Sequence, residues 1–312
     1  MEPQSLTLVT DLLMAKLLGS SIEDHGDHLA VRSPANPDHW WGNFLVLAAA
    51  PDPHEIPHWM ARFAELHPGA RHCAVAIDTA PPDYDPSPWT AYGLKPGRTT
   101  AQVLDRATLT PPPRPNTEAV CRPLASEQDW LDLAQLQKDN RGDFPLEEYS
   151  PFVDRSVAAR RRLVEQRHGQ WWGAFIDGQL RSSMGLFTDG SGVARYQHVD
   201  THPDARRQGL AGTLVHAIGA WGLTPTAQGG LGADRLVIVA DTDDDLMAGR
   251  LRAPIERRAN GQFKDGVGAW TGALGTTAIG TSTCSNWTDT AQLGFTPSHA
   301  KSMASVIATS RE

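Results

Sequence analysis

Residues 202–217 read HPDARRQGLAGTLVHA, which sets two arginines, a glutamine and two glycines just ahead of an apolar repeat. Leu210, Leu214, Ile218 and Trp221 recur at helical intervals, so the polar run stands at the mouth of a helix ending near Gly222. The first turn of a helix has four N–H groups without partners and a partial positive charge; a phosphate there gains hydrogen bonds and field together. Gly209, Ala211 and Gly212 leave the backbone open to close approach, Arg206 and Arg207 carry neutralising charge, and Thr213 adds a hydroxyl. Together these residues predict a pyrophosphate cradle. Neither G-x-x-x-x-G-K-[ST] nor a G-x-G-x-x-G after a strand occurs. The competing reading is an ordinary glycine-bearing turn with solvated arginines, and the surrounding elements decide between the two.

Those elements are legible. Ser126 three residues before Asp129 forms a weak capping box for a helix over 127–138, and a basic amphipathic helix fits 153–167. Asp177-Gly178 lies between two strand-like runs, a strong hairpin signal, and DGSG at 189–192 leads into a third strand, VARYQHVDT, at 193–201. RLVIVAD at 235–241 is a short apolar run rich in valine, as in a buried strand. Three antiparallel strands therefore precede the cradle, and a strand–helix–strand unit over 194–241 contains it. This order predicts a mixed α/β or α+β fold.

With the cradle in that context, VDTHPDARRQGLAGTLV resembles the acyl-CoA-binding segment of the GNAT superfamily of N-acyltransferases, whose pattern is [RQ]-x-x-G-x-[GA]. Arg206, Gly209 and Ala211 occupy its fixed positions. The resemblance covers about 119–243, resumes weakly at QLGFTP (292–297), and implies a twisted, mainly antiparallel sheet flanked by helices. It implies acetyl-CoA as co-substrate. Its pyrophosphate would be held by loop amides from Arg206 through Arg207, Gln208, Gly209 and Leu210 to Ala211, with Gly212 and Thr213 close by. Its pantetheine would lie in a gap beside the third strand, against backbone groups of Val199 and Thr201.

The implied reaction is direct transfer of an acetyl group to a primary amine. An alkylamine with a pKa near 10.4 is mostly protonated at neutral pH, and freeing its lone pair costs roughly 4 to 5 kcal/mol. A proton acceptor is therefore needed within hydrogen-bond reach. Asp200 and His198 on the third strand are the candidates; on a regular strand they share one face, which a bulge would alter. Many relatives carry a tyrosine before the LGF segment to protonate the departing thiolate. Thr290 stands there instead, and Tyr196 is on the wrong element for that role, so the acid is unassigned. The missing tyrosine keeps a second reading open, a non-catalytic acyl-CoA sensor.

The first half carries a worn copy of the second. AVAIDT (74–79) matches VIVADT (237–242), each after a helical segment, and WTAYGL (89–94) parallels WTDTAQLGF (287–295). The first copy has APDPHEIP where the second has its arginines and glycines, so this half has lost the cradle. Four prolines within 105–118 mark the boundary. The expected organisation is a degenerate GNAT-like domain over 1–108, a linker over 109–118, and a catalytic domain over 119–312 with an insertion at about 243–285. That insertion would be a surface loop or a flap over the acceptor.

Composition narrows the partners. A net charge of −8 and a pI near 5.8 argue against general nucleic-acid affinity and lean towards a cationic amine, on a small molecule or a protein. Cys73, Cys121 and Cys284 have no pairing or metal spacing, and twelve histidines show no zinc pattern, so a cytoplasmic, metal-free protein is expected. No signal peptide or membrane span is read, and the duplicated chain is expected as monomer or homodimer. The tryptophan pairs at 40–41 and 171–172 read as packing, and the arginines at 160–162 as a solvated helix face.

Overall fold

The computed structural model describes residues 1–241, apart from 37, 38, 71, 82, 143 and 144, together with strands 295–297 and 303–308. The insertion at 243–285 and Thr290 lie outside the described residues. The chain forms two compact units, the first built from Met1–Ala101 and the last strand, the second from Gln102 onward.

In the first unit, helix α1 (Leu6–Leu17) precedes strands β1 (Ser21–Asp24), β2 (His28–Arg32) and β3 (Phe44–Ala49). Helix α2 (Ile56–Leu66) then returns the chain to β4 (Val75–Thr79). Ile56, Trp59 and Phe63 form the buried stripe of α2 and pack on Leu45, Leu47 and Ile77, one face of the sheet. Leu8 and Leu12 of α1 cover the other face, over Phe44, Val46 and Ala76. Strands β1, β2 and β3 pair antiparallel, and β4 lies parallel to β3. Strand β12 (Met303–Ala308) pairs antiparallel with β4 and with the start of β5 (Leu94–Asp105). Asp78 on β4 is structural: its carboxylate accepts the amides of Gln4 and Ser5 at 2.8 and 2.9 Å.

The second unit runs β6 (Val120–Pro123), α3 (Glu127–Asp139), α4 (Leu146–Glu165), β7 (Gly169–Ile176), β8 (Gln179–Thr188), β9 (Val193–Thr201), α5 (Leu210–Leu223) and β10 (Arg235–Asp241). Its sheet order is β10-β9-β8-β7-β6, antiparallel except for the parallel pair β9–β10. The end of β5 pairs with β11 (Phe295–Pro297). Helix α5 buries Leu214, Val215 and Ile218 against Met184, Leu186, Tyr196 and Leu236 on one face. Helices α3 and α4 pack on the other.

Local signals worked where they were local. Asp177 and Gly178 both take positive φ (50° and 76°), as a tight hairpin turn requires. Ser126 caps α3, accepting the Asp129 amide at 3.1 Å. Helix α4, however, begins at Leu146, ahead of the expected 153, and runs through Pro151 because Tyr149 and Val153 continue its buried stripe. The division between units falls at Ala101/Gln102, so the proline-rich segment packs with the second unit, whereas the sequence suggested a linker at 109–118. Prolines crowded together disfavour helix and central strand but do not prevent packing.

The two units repeat one design. In each, a strand, a helix and a parallel strand follow an antiparallel hairpin: β3-α2-β4 in the first, β9-α5-β10 in the second. The matching residues 75–79 and 237–241 belong to corresponding strands, β4 and β10. The partner of WTAYGL lies almost wholly outside the described residues.

Candidate active site

The site begins where β9 leaves β10. Only Val193, Ala194 and Arg195 pair with β10, at Arg235, Leu236 and Val237. Both strands continue, to Thr201 and Asp241, without pairing further with each other. Residues 196–201 therefore line a gap. The His202 amide donates to Arg181 on β8 (2.8 Å), so by strand alternation Thr201 and Val199 turn their backbone groups the other way, towards the gap. The Thr201 carbonyl there also accepts from Arg206 Nε (3.3 Å) and Asn140 Nδ2 (3.4 Å). In the first unit the equivalent strands stay paired from Leu45↔Val75 to Ala49↔Thr79, and no gap opens.

The segment that the sequence predicts as a cradle lies at the start of α5. Arg207 (φ 62°) and Gly209 (φ 78°) are both left-handed, and alternation of hand around Gln208 turns successive N–H groups to one side. Among the described residues, none accepts a hydrogen bond from the amides of 207 through 212; the Thr213 amide is the first to bond inward, to Gly209 O at 3.0 Å. An anion at this point would meet several free donors. In the first unit the equivalent turn is filled by its own acid: the Asp52 amide donates to Glu55 Oε2 at 2.8 Å.

Several side chains of the loop have other work. Arg206 folds back, its Nη2 donating to Asn140 Oδ1 at 2.9 Å, and ties the loop to the end of α3. Thr213 Oγ1 donates to Gly209 O (2.9 Å) and accepts the Asn116 amide (2.8 Å), so its hydroxyl is spent within the protein. Asn116 Nδ2 also donates to Gln208 O at 2.9 Å. A Cβ at Gly209 would come within 2.3 Å of the Arg114 carbonyl oxygen, so the backbone that approaches Gly209 on that side is the chain's own. Arg207 and Gln208 are exposed and Ala211 and Gly212 buried, which leaves the amides as the cradle's main donors.

A β-bulge places the candidate bases. Ser183 pairs with Asp200 but Gly185 with Gln197, so β9 carries an extra residue at His198, whose φ is 47°. On a regular strand His198 and Asp200 would share the face of Tyr196, which is sealed under α5 with its hydroxyl donating to Val215 O (3.0 Å). The extra residue moves both to the α3/α4 face. There His198 Nε2 lies 2.9 Å from Asp200 Oδ2, both side chains over nine-tenths buried, although the contact is not aligned as a hydrogen bond. Burial holds the Tyr196 phenol far above its ordinary range, which with its bond to Val215 removes it as an acid.

Sequence reasoning missed Arg160. It stands in the buried stripe of α4 with Tyr149, Val153, Val157 and Leu163, 8 % exposed, while Arg161 pairs with Glu127 and Glu165 and Arg162 faces solvent. Its guanidinium lies 5.3 Å from the centre of the Trp171 ring, and burial pushes its pKa down to about 10 against the opposing influence of Tyr149 and Asp200. The signal was available: the helical stripe runs through position 160. Three of these tryptophans pack as expected, Trp171 fully buried, Trp172 6.0 Å from Trp221 and Trp41 stacked on Phe44. Gly185 makes room for Trp171, since a Cβ there would come within 2.6 Å of its ring.

No model of a known protein family matches the chain, and no curated protein does. Among solved structures, a GCN5-related N-acetyltransferase from Kribbella flavida is similar over 98 % of this chain and 96 % of its own, with a TM-score of 0.57 and 15 % identity. The chain has the GNAT fold. A functionally unknown conserved protein from Staphylococcus epidermidis ATCC 12228 is similar over 75 % of this chain and 89 % of its own, with a TM-score of 0.55 and 11 % identity. The GNAT likeness to the Kribbella flavida protein spans both units, in keeping with the repeat within the chain. Among the described residues no helix is long and apolar enough to cross a membrane, and no cluster of His, Cys, Asp and Glu could hold a metal.

Proposed function

We propose that the second unit is an N-acyltransferase that moves an acyl group from an acyl-CoA, acetyl-CoA first among them, to a primary amine. The observation that carries this is the parting of β9 from β10 directly beside the unbonded amides at 207–212, a pair of features that the first unit lacks. The amides would receive the pyrophosphate, and the backbone of Val199 and Thr201 the pantetheine, with the Thr201 carbonyl shared with or released by Arg206 and Asn140. The bound co-substrate supplies an activated acyl carbon and a thiolate that can leave.

The rest belongs to the protein. His198 and Asp200, buried and 2.9 Å apart, form a His–Asp pair held by charge rather than by an aligned hydrogen bond. The His198 imidazole takes the proton that the amine must lose, and the low-dielectric wall around it excludes water. The carboxylate of Asp200 stabilises the imidazolium so formed, as a buried partner of opposite charge does.

The test is thiol release from acetyl-CoA against a broad amine panel, with His198→Gln and Asp200→Asn beside the parent. Release with at least one amine, lowered about 10² to 10⁴-fold in both variants without loss of CoA affinity, is the expected result. CoA binding without release from any amine would instead favour an acyl-CoA sensor. The contact of Arg114 and Asn116 with the loop supports that second reading, because a bound ligand would press on the segment they belong to.

A further inference from the structure

The face that holds His198 and Asp200 contains more polar atoms than the proton transfer needs. Among the described residues, none gives a hydrogen-bond partner to the buried Arg160 Nη1, Trp171 Nε1, Ser183 Oγ or Asp200 Oδ2. They belong together. Ser183 is the register partner of Asp200, Trp171 is the register partner of Gly185 two residues along the same face, and Arg160 lies over the Trp171 ring and within the field of Asp200. Buried polar groups in folded proteins are nearly always paired, so a set of this kind marks a place where something else supplies the partners.

The set has a polarity. Arg160, Trp171 and Ser183 offer donors, while Asp200 offers an acceptor and is turned towards His198. A molecule that satisfies both ends has an anionic, acceptor-rich group for the guanidinium and a nitrogen donor for the carboxylate. With Asp200 contributing its own negative charge, a planar monoanion suits the guanidinium better than a dianionic phosphate.

We infer that the acceptor amine carries a carboxylate in the same molecule, an amino acid, with Arg160 as the residue that receives the carboxylate and selects for it. The inference rests on the acyltransferase reading of this site and deepens it. In the transfer, the amine nitrogen forms the new C–N bond as the thioester C–S bond breaks, the nitrogen's proton passes to His198, and the thiolate leaves. Arg160 takes no part in these bonds.

The test uses the full chain and acetyl-CoA, with the common α-amino acids, β-alanine and γ-aminobutyrate each compared with its decarboxylated amine, and O-phosphoethanolamine as the phosphate arm. At least one carboxylated acceptor should exceed its decarboxylated partner by about tenfold or more in kcat/KM, and β-alanine should exceed O-phosphoethanolamine. Arg160→Gln should erase that preference by raising KM for the carboxylated acceptor while leaving the plain amine within about twofold. Arg160→Lys, which keeps the charge and serves should the glutamine variant not fold, should show a smaller rise in KM. Plain amines turned over as well as their carboxylated partners, or Arg160→Gln lowering both alike, would overturn the inference and leave the transferase reading standing. If no amine releases thiol, calorimetry of the same compounds with the CoA-bound protein separates the two. Heat from carboxylated compounds alone, lost in Arg160→Gln, supports the anion site while the transferase reading falls; no heat from any overturns both.

Discussion

At the scale of single residues, Gly209 has the most exacting position. Its φ of 78° favours glycine, and the Arg114 carbonyl oxygen occupies the space of any Cβ. Gly209→Ala should therefore destabilise the protein by about 1 to 3 kcal/mol and weaken CoA binding, measured by thermal unfolding and by titration of CoA into the folded variant. Arg206→Ala carries a different expectation. Its side chain clasps Asn140 and Thr201, so its loss should lower stability more than it lowers affinity for the pyrophosphate. An equal and large loss of affinity without loss of stability would show that the arginine swings to the ligand. The residue motif was readable from sequence; the commitments of its side chains were not, because Arg114, Asn116 and Asn140 come from 66 to 97 positions away.

At the scale of elements, α3 starts on a hub. The Asp129 carboxylate accepts both Arg122 terminal nitrogens at 2.8 Å and the amides of Ala125 (2.9 Å) and Ser126 (3.1 Å), which holds it well below the usual carboxylate range. Asp129→Asn should cost about 1 to 3 kcal/mol in denaturant unfolding, since it leaves Arg122 and a buried helix start without their charged acceptor. In the first unit, burial holds the His67 imidazole below its ordinary range although its nitrogens face the Val31 and Phe63 carbonyls. A histidine kept neutral in the fold takes up its proton more readily when unfolded, so stability falls as pH drops from about 6.5 towards the folded value. Melting temperatures measured down this range should decline, and His67→Gln should flatten the decline. Strands β9 and β10 were delimited correctly from sequence because alternation and an unbroken valine-rich run are local properties. The bulge at His198 was not, since it exists only relative to the register of β8, and the start of α4 was displaced by Pro151.

At the scale of the whole molecule, one design is used twice with different outcomes. The first unit keeps its parallel strands closed and fills its helix start with Glu55; the second opens the strands and leaves the helix start bare. The repeat, and the absence of the arginine–glycine stretch from its first copy, were visible in sequence, whereas the closed and open strand pairs are tertiary facts. Titration calorimetry should accordingly give a single CoA per chain, and a stoichiometry of two would assign a working site to the first unit.

The proposed seat of the diphosphate is the backbone at the start of α5, and hydrogen exchange reads that backbone directly. Amides 207–212, which have no acceptor among the described residues, should exchange quickly in the free protein and slow by about tenfold or more when CoA is added, while the equivalent turn at 52–56 stays unchanged. Exchange at 207–212 that is unaltered by saturating CoA would contradict the account.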